Sequence, residues 1–265
     1  MWLLAALLSI AVGLIVGLLG GGGSILTVPM LVYVLHVGAE QSVATSLLLV
    51  FATSAVGVAG HAGAGSVRWP IGLAFGLSGM AGAAVGGQLA RFIPGFWLLV
   101  IFALVMVATA VGMMLRREST GPSTPRALPL LRTVPIGVGV GLVSGLVGAG
   151  GGFLIVPALT LLAGLSMREA IGTSLLVLAL QSGAGFASHL LHTPIPWRLA
   201  LLVTSTATVG SLVGARLSRR IQPARLRRGF AVLVLAMGLF MLGKQLTALR
   251  QPAPLPPPAA APAPR

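Results

Sequence analysis

The chain contains no cysteine and no aspartate, and its acidic residues number only three, Glu40, Glu118 and Glu169, among 265. Without cysteine there can be no disulfide and no thiolate metal site. The four histidines are not spaced as metal ligands, and no nucleophile, base and orienting group stand together as an intramembrane enzyme would need. No cofactor and no metal is expected, and the chain reads as a non-enzyme. None of the carboxylates falls inside an apolar run: Glu40 and Glu169 lie at segment junctions and Glu118 in a middle loop. This weighs against a carboxylate proton relay. Charge is scarce overall, with 8% charged residues where a soluble domain carries about 25%. With 56% hydrophobic residues and a mean hydropathy of +1.03, the chain reads as a multi-pass integral membrane protein.

What is present is internal repetition. Shifting the sequence by 128 positions lays it on itself without a gap: Pro29 falls on Pro157, His61 on His189 and Trp69 on Trp197. The densest match sets GLLGGGGSILTVP, from Gly17 to Pro29, over GLVGAGGGFLIVP, from Gly145 to Pro157; Thr45-Ser46-Leu47-Leu48 then falls on Thr173-Ser174-Leu175-Leu176. So long a period does not suit a solenoid array. In an apolar chain it marks a duplicated transporter fold.

Apolar segments are expected at about 2–19, 25–36, 41–60, 70–90 and 96–115, and again at about 134–147, 153–164, 169–190, 197–217 and 227–248. Three per copy approach 20 residues, enough for a hydrocarbon core of about 30 Å. The segments at 25–36 and 153–164 cover only about 18 Å if helical, too little to span alone. Each glycine-rich element is therefore either part of one kinked spanning helix or half of a re-entrant hairpin with the glycines at its tip. Loop charge decides between them. If the element enters and leaves on one side, each copy crosses an odd number of times and the second copy is inverted. Twelve basic residues, Arg68, Arg116, Arg117, Arg126, Arg132, Arg168, Arg216, Arg219, Arg220, Arg225, Arg227 and Arg228, then share a face, and five, Arg91, Arg198, Lys244, Arg250 and Arg265, lie opposite. A kinked span would divide them almost evenly, so the positive-inside bias favours inverted repeats with the basic face cytoplasmic.

The expected organisation is all-α: a first transmembrane repeat at 1–115, a basic Pro/Ser-rich connecting loop at 116–133, a second repeat at 134–248 and a disordered Pro/Ala-rich tail at 249–265. Met1-Trp2-Leu3-Leu4 has no basic leader region and reads as membrane helix, not signal peptide. The net charge of +14 does not imply nucleic acid, because the arginines sit in short loops between apolar spans.

Backbone at membrane depth must be satisfied, so the run Gly20, Gly21, Gly22, Gly23 and Ser24 is expected to be buried in protein or to line a watery cavity. A helix starting at Ser24 would aim free N–H groups and its positive dipole end into the break, which suits an anion. Gly148, Gly150, Gly151 and Gly152 repeat the arrangement, and inverted copies would bring the two tips together near the midplane. No P-loop lysine follows either run, so neither is a nucleotide site. Thr45, Ser46, Thr173 and Ser174 open the next segments with hydroxyls, and Gln181 places an amide in mid-segment; these complete the expected substrate contacts. His61 and His189 match across the repeat and are candidates for gating or a proton relay, against the plainer reading of polar boundary residues. Gly13/Gly17, Gly141/Gly145, Gly82/Gly86 and Gly210/Gly214 are small-xxx-small pairs and read as helix packing surfaces.

The segments GLLGGGGSILTVPMLVYVLHVGAEQSVATSLLLVFATS and GLVSGLVGAGGGFLIVPALTLLAGLSMREAIGTSLLVLALQSGAG resemble the TauE/SafE family of sulfite-exporter-like permeases over about Ile10 to Leu246. The resemblance implies an inner-membrane protein moving small sulfur-containing anions such as sulfite or sulfonates. The expectation is a multi-pass secondary transporter of small organosulfur oxyanions. Its partners would be an anionic solute and the lipid bilayer, with a homo-oligomer left open. The competing readings are a non-transporting scaffold with basic loops and a passive anion channel.

Overall fold

A computed structural model describes residues 2–21, 24–115, 130–147, 152–190 and 193–250, and within them the protein is helical with no strand. Helix α1 covers Trp2–Leu19. Helix α2, Ser24–Pro29, runs on into a five-residue π-helical turn, Met30–Val34. Then come α3 (Ala39–Ala62), α4 (Trp69–Leu89, with a 3-10 turn Ala90–Phe92) and α5 (Gly95–Leu115). The remaining helices are α6 (Leu130–Val147), α7 (Gly152–Pro157, with a π-helical turn Ala158–Leu162), α8 (Met167–Leu190), α9 (Trp197–Arg220) and α10 (Pro223–Arg250). Seven of these helices are long and apolar enough to cross a membrane; Arg132–Leu146 and Gly152–Leu162 are apolar but shorter.

Element bounds recur at the same offset as the sequence match, so that Trp2–Leu19 answers to Leu130–Val147 and Ala39–Ala62 to Met167–Leu190. Even the turns after the π-helical segments agree in left-handed backbone, at His36 (φ 54°) and Gly164 (φ 71°). Three bounds differ from expectation. Helix α6 begins at Leu130, inside the segment 116–133 read as connector. Pro129 and Pro135 bracket its start and suggest a loop, but a proline this near a helix start removes only one early bond. Helix α10 starts at Pro223, where a proline needs no hydrogen-bonded N–H, and it continues to Arg250, two residues into the span 249–265 read as tail. The rest of the connector, 116–129, and of the tail, 251–265, lie outside the described residues.

Lipid tails offer no hydrophobic drive for helices to associate, so close packing of small residues has to supply it. Helix α1 packs on α9: a Cβ on Gly13 would enter the backbone of Ala207, one on Gly17 that of Ser211, and Gly210 and Gly214 abut Ile10 and Leu14 in return. Helix α4 packs on α6 in the same manner, with Gly82 and Gly86 against Val138 and Leu142, and Gly141 and Gly145 against Gly79 and Ala83. In both pairs residue numbers rise together, so the helices are parallel. Between α3 and α8 they oppose: Leu47 lies beside Gly185, Phe51 beside Gly183, and His61 beside Gly172. Helices α3 and α9 run parallel, since Ser211 Oγ donates to the Thr53 carbonyl (2.9 Å) and His61 meets Ser218 (3.2 Å).

Helices α1, α3 and α9 therefore share one direction, and α4, α6 and α8 the other. Because α1 is parallel to α3, residues 20–38 must bring the chain back the way α1 came. The glycine break is thus the turn of a hairpin whose return leg is α2 with its π-helical extension. We label as face A the side where α3 begins and as face B the side where it ends. Arg68, Arg132, Arg168 and the arginines from Arg216 to Arg228 lie toward face B, while Arg91 and Arg198 lie toward face A. Apolar side chains such as Leu77 on α4, Leu104 on α5 and Val209 on α9 point outward, each more than half exposed at 61%, 54% and 57%, as a lipid-facing surface requires.

Gly17→Leu is expected to abolish the α1–α9 contact, because Ser211 and Ala215 backbone atoms occupy the space its side chain would need. Size-exclusion profiles and thermal unfolding in detergent should show a polydisperse, destabilised protein. Gly139→Ala, with nothing within 4 Å of its new Cβ, should behave as the parent chain; equal behaviour of the two variants would refute the packing.

Candidate functional site

The hairpin of α1 and α2 turns at Gly20, whose φ of 75° is a backbone state that side chains with a Cβ rarely adopt. Gly20 lies against the Ser174 hydroxyl and Val156, and Gly21 lies so close to the Gly152 carbonyl that no side chain could be added there. The first break thus meets the start of α7 and the Ile171–Ser174 turn of α8, both from the other half of the chain. Of the glycines expected to form the site, Gly20, Gly21 and Gly152 are brought together. Gly22, Gly23, Gly148, Gly150 and Gly151 lie outside the described residues, and of Ser24 only the backbone, opening α2, is described.

The four hydroxyls divide. Ser46 and Ser174 each donate to a carbonyl of their own helix, Val43 O at 2.8 Å and Ile171 O at 2.8 Å. Thr173, fully buried, accepts the backbone N–H of Arg68 at 3.1 Å. Thr45 is equally buried, yet its hydroxyl has no partner among the described residues. The cause is visible in the sequence, since Pro196 stands 128 positions after Arg68 and has no N–H to donate.

His61 is buried at 3% exposure, not a boundary residue. Its Nδ1–H donates to the Gly57 carbonyl (3.0 Å), and the Ser218 hydroxyl stands 3.2 Å from Nε2. His189 lies at face A, where the Thr193 hydroxyl donates to Glu40 (3.3 Å) and stands 3.3 Å from His189 Nδ1. The matched histidines therefore serve opposite faces.

A cross-chain ion pair escaped the sequence reading. Arg68 contacts Glu169 Oε1 through its guanidinium at 2.6 Å, and Ser166 supplies its N–H (3.0 Å) and hydroxyl (2.9 Å) to Oε2. This joins the α3–α4 turn to the start of α8 at face B. Arg168 adds a bond to the Arg219 carbonyl at the end of α9 (3.2 Å). The available signal was the scarcity itself: an acid beside a face otherwise made of arginine needs a partner.

Gln181 lines a cavity of about 320 Å³ with Leu47, Met80, Ala83, Ser144, Gly145, Ser182, Ala184 and Gly185. These residues come from the first half of α3, the middle of α4, the last turn of α6 and the second half of α8. The cavity therefore sits at mid-depth on the face A side, next in sequence to the second glycine break. Ser144 was not anticipated; a serine in an apolar helix carries no distinguishing signal until its surroundings are known. Among the described residues, no group of three or more His, Cys, Asp or Glu could hold a metal ion.

The family model for the sulfite exporter TauE/SafE matches residues 5–241. A "probable membrane transporter protein" of Xylella fastidiosa is 33% identical over 245 residues, covering 90% of this chain and 94% of the relative. Proteins of the same description from Methanocaldococcus jannaschii (29% identical; 91% and 97% covered) and Bacillus subtilis (25% identical; 92% and 97% covered) match as fully. No solved structure gives a significant match. The chain belongs to the sulfite exporter TauE/SafE family, and it is a multi-pass membrane protein of the transporter type.

The two threonines give opposite expectations. Thr173→Val orphans the Arg68 N–H and should lower stability by about 1–3 kcal/mol, whereas Thr45→Val removes a hydroxyl with no partner and should leave stability unchanged or raise it by up to about 1 kcal/mol. Thermal unfolding in one detergent compares them directly, and equal losses in both variants would contradict the assignment.

Proposed function

We propose that this member of the TauE/SafE family is a secondary transporter of small anions, sulfite, sulfonates or related organosulfur oxyanions, in the inner membrane. Its two halves act as inverted copies, 1–115 and 134–248, joined by the basic connector. The opposed directions of α3 and α8, and of α1 and α6, support the inversion. With face B cytoplasmic, the arginines from Arg216 to Arg228 fall on the side that the positive-inside bias assigns them, and the N-terminus lies outside.

The observation that carries the reading is the meeting of Gly21 with Gly152 and of Gly20 with Ser174, which brings the first hairpin tip onto elements of the other half. Irregular backbone is tolerated at membrane depth only where protein or a polar cavity receives it, and here a cavity is lined by Ser144 and Gly145, which stand a few residues before the second break in sequence. Glycine backbone at such a tip exposes N–H groups to a small anion, and rocking of one half against the other would open the site to each face in turn. The ion pair Arg68–Glu169 and the contact of His61 with Ser218 hold face B closed in this state. The sequence-matched positions at face A, Gln41 and Pro196, cannot form that ion pair.

Two measurements test this. Proteoliposomes containing the protein should take up labelled sulfite saturably, with competition by sulfonates in preference to carboxylates; no uptake from a panel of oxyanions, with insertion verified, would turn the reading toward a scaffold. Single cysteines at Ala64 and Pro194, sequence-matched to within two residues in the turns after α3 and α8, should react with an impermeant maleimide from opposite faces. Labelling from one face would refute the inversion.

A further inference from the structure

We infer that the mid-depth cavity beside the second hairpin is an oxyanion-binding site made of neutral donors, in which Gln181, Ser182 and Ser144 hold the oxygen atoms of the solute. The inference takes its solute class from the transporter reading above, but its residues come from the geometry.

Hydroxyls in the spanning helices are commonly committed to their own backbone: Thr53 to Leu49 O (2.7 Å), Thr109 to Val105 O (2.8 Å), Thr208 to Thr204 O (2.7 Å), Ser218 to Ala215 O (2.9 Å). Ser144 and Ser182 make no such bond, and among the described residues the Gln181 amide has no partner either, although all three line one cavity. Ser182 is only 5% exposed. Uncommitted polar groups at membrane depth are costly unless water or a solute completes them. Three converging on one space are a ready coordination shell. The Gln181 amide nitrogen also lies close against Gly79, where any side chain would crowd it.

Comparison with the other half shows that the trio is not a by-product of the repeat. At the positions 128 residues removed stand Thr53, Ser54 and Val16, each fully buried. Thr53 is satisfied by Leu49 O and by Val50 O at 3.1 Å, Val16 has nothing to donate, and Ser54, whose buried hydroxyl also has no partner among the described residues, is left as the one uncommitted group there. No charged side chain lines the cavity among the described residues, so the solute is recognised by hydrogen bonds and not by a fixed countercharge.

A cysteine-free chain makes the test direct. Ala184→Cys places a thiol on the cavity wall, and its alkylation by an uncharged maleimide is timed with methanesulfonate or sulfate present, alongside flux in proteoliposomes. The expected result is saturable protection of Ala184→Cys, none of Ala64→Cys in the exposed turn, and about a tenfold rise in the protecting concentration when Gln181→Leu or Ser182→Ala is added. Saturable flux without protection would overturn the cavity site while leaving transport standing. Protection without flux of any oxyanion would leave the site standing and overturn the transporter reading, and the absence of both would overturn both. Protection unchanged by Gln181→Leu and by Ser182→Ala would overturn the donor assignment, and size-exclusion profiles of both variants exclude misfolding as a cause of lost protection.

Discussion

Everything in this fold hangs on places where a backbone carbonyl occupies the space that a side chain would need. At Gly13 and Gly17 against α9, and at Gly82, Gly86, Gly141 and Gly145 between α4 and α6, neighbouring helices approach to backbone contact. In lipid such packing replaces the hydrophobic drive that is absent. Each contact joins a helix from one half to a helix from the other. The opening helix of either half lies on the third long helix of its counterpart, so the halves are interlocked. The hairpins are held in the same way. Gly20 and Gly21 lie against α7 and α8, so the position of the first tip depends on the second half.

A shared architecture does not make the halves chemically equal. Where Arg68 gives an N–H to Thr173 and a guanidinium to Glu169, the matched positions hold Pro196, Thr45 and Gln41, which can form neither contact. Face B is therefore tied by charge, and face A by the weaker chain of Glu40, Thr193 and His189. Exposed ion pairs contribute little to stability, about 0–1 kcal/mol; on the proposed transporter reading, a contact that small suits a closure that breaks during the cycle. The unpartnered Thr45 hydroxyl is the trace this asymmetry leaves in the interior.

Much of this was legible in the sequence, for physical reasons that also mark the limits. Apolar runs cut by glycine and proline located the helices, because spanning length and backbone satisfaction leave few alternatives. The small-xxx-small pairs read as packing surfaces, and all eight glycines meet a partner helix. Which helix meets which was not legible. Helices bathed in lipid are apolar on every side, so periodicity does not reveal the buried face. His61 read as a boundary polar residue because it closes an apolar segment, yet it is covered by α9, which no local pattern announces. Ser144 escaped because a hydroxyl's commitment to its own helix depends on a rotamer, and rotamers are set by neighbours. The start of α6 was misplaced because the Pro-, Ser- and Arg-rich stretch 116–133 reads as a connector to its end, whereas its last residues, from Leu130, already belong to the helix.

The charge distribution admits a further step. Arginine is abundant in this chain, yet it lies toward the faces, and the mid-depth cavity is lined with amide, hydroxyl and apolar groups. A guanidinium at that depth would carry a large desolvation cost when empty and would hold an anion through a low-dielectric ion pair when full. A permeating solute must bind well enough to enter and weakly enough to leave. Neutral donors meet both conditions: they leave no buried charge behind when the solute departs, and they offer a few hydrogen bonds in place of its hydration shell. On the proposed transporter reading, the arginines at face B act at longer range, raising the local concentration of anions at that mouth. On this view attraction and binding are separated in space, with charge at the surface and hydrogen bonds at depth. That separation also explains why a transporter for anions can do without a charged residue at its centre.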